Sequence, residues 1–236
     1  MSAVVEPALR HFVISPTDLV YLYDECAACF HSAYRLGRKR PTTFSPHFTN
    51  ADRAMRRALD TEAIVDLGVG PRFRVHSQGV RVESQPVAFP EHGVSLSVAG
   101  KYDALVVTEH DEIFVVDLKT TTQDDGALFK FRRQLASYAF ALERPLRRPP
   151  TGPVAVDGLA LLIFDPARYI FKREAKISGL YGPTRWVELP RDDKKFDKLL
   201  TSVAELLGGD EPLPDPTCRY CAFRDGRIKV AGPPVA

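Results

Sequence analysis

The chain has 236 residues and a mass of 26.3 kDa, and its 32 basic and 30 acidic side chains give a formal net charge of +2. Hydrophobic residues make up 44% of it, enough for a core that does not depend on disulfides, and this charge neither requires nor excludes a nucleic-acid partner. No apolar run reaches the roughly 20 residues that cross a bilayer, and residues 1–12 lack the apolar stretch of a secretory signal, so we expect a cytoplasmic protein with reduced cysteines.

Two helices are predicted near the N-terminus. The first begins at Ser15-Pro16-Thr17-Asp18, where a cap residue and a proline precede an acid, and we expect it to run to about Leu36. The second fits residues 50–67, with an apolar stripe on one face and arginines largely opposite. Gly68 follows this stretch and is expected to end it.

The middle of the chain changes to the periodicity of strands. Residues 113–116 are continuously apolar and of strand length, which indicates a central strand buried on both faces. The remaining elements are predicted as strands at 80–89, 94–107, 158–164 and 185–189 and as helices at 127–143 and about 193–207. This order predicts an α/β (α+β) fold in which a mixed central sheet is flanked by helices.

Two carboxylates and a lysine form the strongest candidate site. Asp117 and Lys119 are two apart on the central strand, so they point to the same side while Leu118 faces the core. If residues 109–112 form a hairpin turn, Asp103 lies beside Asp117 on the neighbouring strand. Paired carboxylates bind Mg²⁺ or Mn²⁺, and an adjacent lysine can stabilise charge during phosphodiester hydrolysis. An ordinary strand-end ion pair with Asp103 in a turn explains the same residues equally well.

The helix that follows adds polar side chains at the same end of the sheet. Gln134 and Tyr138 are four apart, so they share a face and can contact a base or a phosphate. A buried tyrosine with an amide partner is the alternative for these two residues. Lys130 and Arg133 add positive charge nearby, and their alternative is a solvated helix face.

The four cysteines form two Cys-x-x-Cys pairs, Cys26/Cys29 and Cys218/Cys221, with none left over. Four thiolates with this spacing suit either zinc or an iron–sulfur cluster. Two unrelated pairs of small buried residues are the alternative. A thioredoxin-like redox role is disfavoured because the βαβ context of that motif is missing.

The motifs in chain order resemble a known family. Gly100-x-x-Asp103, Asp117-x-Lys119-Thr120 and Gln134-x-x-x-Tyr138 look like the RecB-like branch of the PD-(D/E)XK nuclease superfamily, which includes CRISPR-associated exonucleases. The resemblance implies a restriction-endonuclease-like core, in which Asp103, Asp117 and the Leu118 backbone carbonyl bind Mg²⁺ or Mn²⁺ and Lys119 is catalytic. It also implies that Gln134 and Tyr138 contact substrate, with Lys130 and Arg133 nearby.

Two further implications of the resemblance are looser. The family often places a metal ligand on an early helix, where this chain offers Asp52, although an acid in the first turn of a helix has the same appearance. Many relatives bind a [4Fe–4S] cluster through one N-terminal and three C-terminal cysteines, whereas this chain has two and two. We therefore expect a [4Fe–4S] cluster at Cys26, Cys29, Cys218 and Cys221, with structural zinc as the alternative.

The sequence thus predicts one PD-(D/E)XK domain over residues 1–236, with a helical part at 15–67, a nuclease core at 78–189 and a cysteine-containing tail at 190–236. The expected activity is metal-dependent hydrolysis of DNA, by an exonuclease or a single-strand-preferring nuclease in DNA repair. The expected partners are DNA ends and a helicase or other DNA-processing protein. The alternative is a non-catalytic subunit that binds nucleic acid or assembles a complex around its cysteine site.

Overall fold

The computed structural model describes residues 8–38, 46–60, 62–147, 152–174 and 176–225 of the chain. Its helices are α1 (Asp18–Tyr21), α2 (Ala27–Arg35), α3 (Pro46–Asp60), α4 (Asp125–Leu128), α5 (Arg132–Glu143), α6 (Asp193–Gly208) and α7 (Arg219–Arg224). Its strands are β1 (Arg10–Ile14), β2 (Phe73–Gln78), β3 (Arg81–Glu83), β4 (Val87–Phe89), β5 (Val94–Lys101), β6 (Ala104–Thr108), β7 (Ile113–Thr120), β8 (Gly158–Phe164), β9 (Arg168–Lys172), β10 (Ile177–Tyr181) and β11 (Thr184–Leu189). In the described part of the chain, no helix is long and apolar enough to cross a membrane.

A five-stranded mixed sheet in the order β11-β8-β7-β6-β2 forms the centre of the protein. Within it β7 and β8 are parallel, and the other neighbouring pairs are antiparallel. A second sheet is built around β5, which pairs with β1 in parallel and with β3 and β4 antiparallel. The predicted mixed sheet with flanking helices is therefore confirmed.

Both faces of the five-stranded sheet are buried, which explains why β7 is continuously apolar. Leu105, Val115 and Leu161 face a core that includes α5 and α6. Val116 and Leu118 face the other core, where Leu59 of α3 packs. The alternation of strand side chains thus places Asp117 and Lys119 on the α5 side and Leu118 on the α3 side.

The predicted N-terminal helices have different bounds in the structure. Instead of one helix from Ser15 to Leu36, α1 ends after one turn and α2 begins anew behind Cys26, which has extended backbone angles at the N-cap. Helix α3 covers Pro46–Asp60 rather than 50–67, because Val65 leaves the helix and pairs with Phe73 in a β-bridge.

The structure also contains strands that the sequence did not predict. β1 and β2 flank the expected strands, and β9 and β10 form a separate two-stranded hairpin between β8 and β11. The predicted edge strand is confirmed, since β11 pairs only with β8 among the described strands. The last helix is confirmed as α6, where the Asp192 side chain accepts a hydrogen bond from the Lys195 N–H and caps the N-terminus.

Candidate functional site

The hairpin of β6 and β7 brings two carboxylates together. The strands pair antiparallel with Ala104 opposite Val116, so Asp103, one residue before β6, lies beside Asp117. The Leu118 N–H donates a hydrogen bond of 2.8 Å to Oδ2 of Asp103. The Asp103 side chain thus continues the hydrogen bonding between β6 and β7 beyond their last paired residues. In a strand the N–H and C=O of one residue point to the same edge, so the Leu118 carbonyl also faces the Asp103 side.

Asp117 is almost completely buried, and its partners come from β7 and α5. The residue is 2% exposed, and its carboxylate forms an ion pair with the Lys119 ammonium. Its Oδ1 accepts a hydrogen bond of 3.0 Å from the amide of Gln134, which is itself buried. Burial of a charge is tolerated when it is paired in this way, so the acid, the lysine and the amide form one unit.

Asp103 is held by an arginine that the sequence did not single out for the site. Nη2 of Arg56, on α3, lies 2.5 Å from Oδ1 of Asp103. Burial and the nearby Asp117 charge nonetheless raise the pKa of Asp103 to about 6, although Arg56, the Leu118 N–H and Lys119 act in the opposite direction. Loss of hydration, together with repulsion from Asp117, therefore outweighs the nearby cations at Asp103.

Lys119 is fixed by an aromatic ring as well as by the carboxylates. Its Nζ lies 4.6 Å from the ring centroid of Phe131, in the turn before α5. Burial lowers the pKa of Lys119, but the charges of Asp117 and Asp103 outweigh burial, so the pKa is raised and the ammonium stays charged. A permanently charged lysine can stabilise negative charge but is a poor general base.

Lys130 and Tyr21 stand at the rim of this site. The Phe131 ring contacts the Tyr21 ring of α1, with centroids 6.0 Å apart. Nζ of Lys130 lies 5.2 Å from the Phe131 ring and 5.6 Å from the Tyr21 ring. Lys119 and Asp117 act on the pKa of Tyr21, which burial raises, so Tyr21 shares the electrostatic environment of the site.

Tyr138 connects α5 to β5 directly behind the carboxylates. Its hydroxyl donates a hydrogen bond of 3.0 Å to the Lys101 carbonyl oxygen, and burial raises its pKa to about 12. Gly100 makes this approach possible, because a Cβ there would lie 2.9 Å from a Tyr138 ring carbon and 2.9 Å from Cδ of Pro16. The glycine and the tyrosine thus form one close contact between α5 and β5, and Lys101 lies two residues before Asp103 in the chain.

The other predicted site residues lie in different surroundings. Arg133 forms an ion pair with Asp24, and its side chain is 37% exposed. Asp52 belongs to α3, but its side chain lies outside the described residues, so its role as a metal ligand stays a prediction. The predicted substrate contacts of Gln134 and Tyr138 also stay predictions, since both side chains are buried against Asp117 and β5.

The carboxylate pair fits a hard divalent cation. Its donors are carboxylate oxygens from just before β6 and from the end of β7. The pKa of Asp103 is raised first by burial and then by the Asp117 charge, which such a cation would neutralise. Mg²⁺ and Mn²⁺ prefer oxygen ligands of this kind and keep several waters. Asp103 and Asp117 would hold the ion, with the Leu118 carbonyl as a further oxygen donor.

The four cysteines meet at a second site, which joins the two ends of the described chain. Cys26 and Cys29 flank the start of α2, and Cys218 and Cys221 flank the start of α7. The Sγ–Sγ distances are 3.5 Å for Cys26–Cys221, 3.4 Å for Cys29–Cys221 and 3.7 Å for Cys29–Cys218. All four sulfurs lie within 4.8 Å of one another without a disulfide, so the predicted meeting of the two pairs is confirmed.

The four cysteines differ in how their surroundings act on the thiolate form. Burial raises the pKa of Cys29, with the neighbouring thiols adding to the effect. Burial acts in the same direction on Cys218, but hydrogen bonds from the Cys221 N–H, the Cys29 thiol and the Tyr220 N–H together outweigh it and lower the pKa. A four-thiol cluster of this size can hold a metal, which would compensate the charge that the thiolates create on burial.

Sequence reasoning identified the carboxylates, the lysine and the cysteines but missed Arg56, Phe131 and Tyr21. Arg56 belongs to a run of arginines on one helix face, and nothing in that run distinguishes the one that reaches Asp103. Phe131 lies inside the predicted helix 127–143, and nothing in its local sequence indicates that its ring contacts Lys119. The proximity of Tyr21 depends on how α1 packs on the rest of the chain, which no local pattern encodes.

Comparisons with known proteins now bear on this arrangement. A search of curated proteins found no match. Among solved structures, the crystal structure of SSO0001 is similar with a TM-score of 0.45 and 16% identity, over 90% of this chain and 84% of that one. A family profile described as the PD-(D/E)XK nuclease superfamily matches residues 47–225, which contain both carboxylates, Lys119, Gln134 and Tyr138. The chain therefore belongs to the PD-(D/E)XK nuclease superfamily.

Proposed function

We propose that the protein is a metal-dependent DNA nuclease of the RecB-like branch, acting as an exonuclease or preferring single strands. Members of the superfamily are usually phosphodiesterases that use divalent metals. The observation that carries the proposal is the intact group of Asp103, Asp117 and Lys119 at the end of β7. A subunit without activity would not need a buried lysine and two carboxylates in one place, because burying these charges costs stability.

Each residue has a distinct role in the proposed reaction. Asp103 and Asp117 hold the divalent ion, which when bound acidifies water and neutralises charge on a phosphodiester. Lys119 keeps its proton and donates hydrogen bonds from Nζ to a phosphate oxygen as negative charge develops on it. Gln134 orients the Asp117 carboxylate through Oδ1, and Tyr138 fixes α5 against β5, so both act as positioning residues.

The rim of the site supports a polyanionic substrate. Lys130 stands over the Phe131 and Tyr21 rings, where its ammonium is available to a phosphate next to the scissile one. Tyr21 is 41% exposed and offers an aromatic surface beside it. An association with a helicase and a role in DNA repair remain predictions from the resemblance alone.

The test is cleavage of end-labelled single- and double-stranded DNA by the purified protein with Mg²⁺ or Mn²⁺. We expect metal-dependent degradation by the wild type and a loss of at least about 100-fold in Lys119→Ala, the scale typical of one lost electrostatic contact. Lys194→Ala, at an exposed position on α6, is the matched control and should cleave like the wild type. The fate of the label distinguishes exonuclease from endonuclease action.

Two results would overturn the proposal. Full activity of a purified, folded Lys119→Ala variant would remove the lysine from the mechanism. Absence of cleavage by a folded wild type, together with DNA binding, would favour the alternative of a non-catalytic subunit.

We further propose that the cysteine site holds a single tetrahedral ion of the zinc class. With Zn–S bonds of about 2.3 Å, a regular tetrahedron has sulfur–sulfur distances of about 3.8 Å. The three contacts of 3.4–3.7 Å are close to this value. In a [4Fe–4S] cluster each thiolate binds a different iron, so the whole cluster separates the sulfurs and spreads them further apart.

Metal analysis of anaerobically purified protein tests this assignment. We expect about one zinc per chain and no visible chromophore, with the zinc lost in Cys29→Ser. Four irons and acid-labile sulfide per chain, with a brown colour, would show instead that the site holds the iron–sulfur cluster that the resemblance implied. Neither result depends on nuclease activity, so the two proposals stand or fall separately.

A further inference from the structure

The hairpin of β9 and β10, residues 168–181, exposes an unusual amount of aromatic surface. Tyr169 is 55% exposed, Phe171 is 72% exposed and Leu180 is 52% exposed. The pairing puts Leu180 opposite Tyr169, and residues two apart on a strand share a face, so these three side chains lie on one face. We call this surface the aromatic face. Contiguous apolar surface on a protein usually marks a binding site.

The aromatic face is organised rather than random. The rings of Tyr169 and Phe171 meet edge to face, with centroids 4.9 Å apart. The Tyr169 hydroxyl and the Ser178 hydroxyl are hydrogen-bonded at 2.7 Å across the two strands. The Tyr169 ring is thus held from two sides, while the Phe171 ring next to it remains largely open to solvent.

The charge of the hairpin identifies the kind of partner. Its cations are Arg168, Lys172, Arg173 and Lys176, against a single acid, Glu174. A protein-docking surface typically has few charges at its apolar centre. Arg168 and Lys172 alternate with the rings and therefore lie on the other face. Arg173 and Lys176 lie in the turn that adjoins the aromatic face. Exposed aromatic rings beside a concentration of cations are instead typical of surfaces where bases of an unpaired strand stack and phosphates meet positive charge.

The position of the hairpin connects it to the candidate nuclease site. β7 and β8 are parallel, and their last paired residues are Thr120 and Phe164, so both strands end at one edge of the sheet. Asp117 and Lys119 lie three residues and one residue before that edge. Three residues, 165–167, connect Phe164 to the first strand of the hairpin, which therefore starts near the same edge.

The base of the hairpin is fastened to the loop that follows Lys119. The Thr121 N–H donates to the Phe164 carbonyl at 3.0 Å, and Arg185 donates to the Gln123 carbonyl at 2.8 Å. At the hairpin's own base, the Asp165 N–H donates to the Pro183 carbonyl at 3.0 Å. Gly182 packs so tightly that a Cβ would lie 1.6 Å from the Asp165 carbonyl oxygen. The hairpin is thus attached firmly at its root.

The reach of the hairpin matches a short stretch of nucleic acid. Phe171 is seven residues beyond Phe164, so it lies at most about 25 Å from the sheet edge. At about 3.4 Å per stacked nucleotide, a strand of seven or fewer nucleotides covers this distance. Non-specific single-strand sites are of comparable size.

We propose that the aromatic face binds an unpaired DNA strand by stacking and guides it to the carboxylates of the nuclease site. This inference rests on the proposed nuclease function, which it deepens by naming the substrate as single-stranded DNA. Tyr169 and Phe171 supply the stacking surfaces, and Arg173 and Lys176 in the adjoining turn supply positive charge for the phosphates. Because the contact is to base faces rather than base edges, it is independent of sequence.

The test compares binding of a fluorescent oligothymidylate and of a duplex with closed ends, without added divalent metal so that no cleavage occurs. We expect Phe171→Ala to weaken single-strand binding about 5- to 100-fold, the range for one lost stacking contact, and to leave duplex binding unchanged. Phe171→Leu keeps an apolar side chain but loses the π-face, so it should weaken binding nearly as much. Phe171→Trp should retain binding.

Tyr181→Ala is the matched control, because Tyr181 is an exposed aromatic residue on the opposite face of the same hairpin. It should bind both DNAs like the wild type. Equal single-strand binding by wild type and Phe171→Ala would overturn the inference, as would an equal loss in Tyr181→Ala. A dimeric wild type that becomes monomeric in Phe171→Ala on light scattering would also overturn it, since a second copy would then cover the aromatic face.

These outcomes separate the inference from the proposed function. If the wild type cleaves DNA but Phe171→Ala binds single strands normally, the nuclease stands and the role of the hairpin is rejected. If the wild type never cleaves but Phe171→Ala loses single-strand binding, the hairpin is supported and the nuclease is rejected.

Discussion

Arg56 neutralises the charge of Asp103 at the carboxylate pair. Its guanidinium contacts Oδ1 of Asp103, while Oδ2 of the same carboxylate accepts the Leu118 N–H. Lys119 neutralises Asp117 in the same way. Each acid therefore has one cation in the metal-free state, and a divalent ion that takes oxygen atoms of Asp103 must compete with Arg56 for that carboxylate.

Removing Arg56 should lower the stability of the metal-free protein but increase the stabilisation that added Mg²⁺ provides. Arg56→Ala leaves Asp103 with less compensation, so we expect the free energy of unfolding without divalent metal to fall by about 1–3 kcal/mol. The rise in melting temperature on adding Mg²⁺ should exceed that of the wild type, because the ion no longer displaces a cation. Urea denaturation and thermal melts measure the two effects.

Arg57→Ala is the control for this prediction, because Arg57 is an exposed arginine on the same helix. It should change neither the stability nor the response to Mg²⁺. A Mg²⁺ response of Arg56→Ala that is equal to or smaller than that of the wild type would mean that Arg56 supports metal binding rather than competing with it.

At the scale of elements, the site depends on how α5 lies against β5. The Tyr138 hydroxyl reaches the Lys101 carbonyl across Gly100, and Gln134, one turn earlier on the same helix, reaches Asp117. A shift of α5 away from β5 would therefore loosen the carboxylate as well. The glycine of the Gly100-x-x-Asp103 motif is explained by this close contact between helix and strand.

Gly100→Ala tests this contact. The added methyl group would lie 2.9 Å from both Tyr138 and Pro16 atoms, in a part of the chain where neither neighbour can easily move. We expect the free energy of unfolding to fall by about 1–3 kcal/mol, as for overpacked cores. In the control Gly126→Ala, the nearest atom is Oδ1 of the Asp124 cap at 3.3 Å, which needs to shift by only a few tenths of an ångström, so stability should change little.

The elements themselves were predictable to different degrees. β7, β8 and α6 were found because a continuous apolar run or a proline followed by capping acids marks them locally. β9 was missed because its cations hide the alternation, and its pairing with β10 rather than with a main sheet is not encoded in its own residues. The break between α1 and α2 depends on Cys26, which is held at the N-cap beside the distant Cys221.

At the scale of the whole molecule, the cysteine site links the two ends of the described chain. Cys29 and Cys218 are 189 residues apart, yet their sulfurs are in contact. The Arg35 guanidinium adds a hydrogen bond of 3.0 Å to the Leu207 carbonyl at the end of α6. A cross-link that closes so long a loop removes much of the freedom of the unfolded chain, which in the chain-entropy model corresponds to about 5 kcal/mol.

This linkage predicts non-additive effects of cysteine substitutions. We expect the pair Cys26→Ser/Cys29→Ser to lower the melting temperature as much as the pair Cys218→Ser/Cys221→Ser, because either pair of substitutions destroys the same metal site. Substituting all four should add little further loss, since two changes that break one interaction are strongly coupled. Thermal melts of the three variants, with metal content measured on each, give the comparison.

Limited proteolysis should show that the segment after α6 becomes accessible in every variant while the five-stranded sheet stays protected, because that segment is attached to α2 through the sulfurs. Independent, additive losses would mean that the cysteines are two separate pairs of buried residues and that the ends of the chain are held together by packing alone.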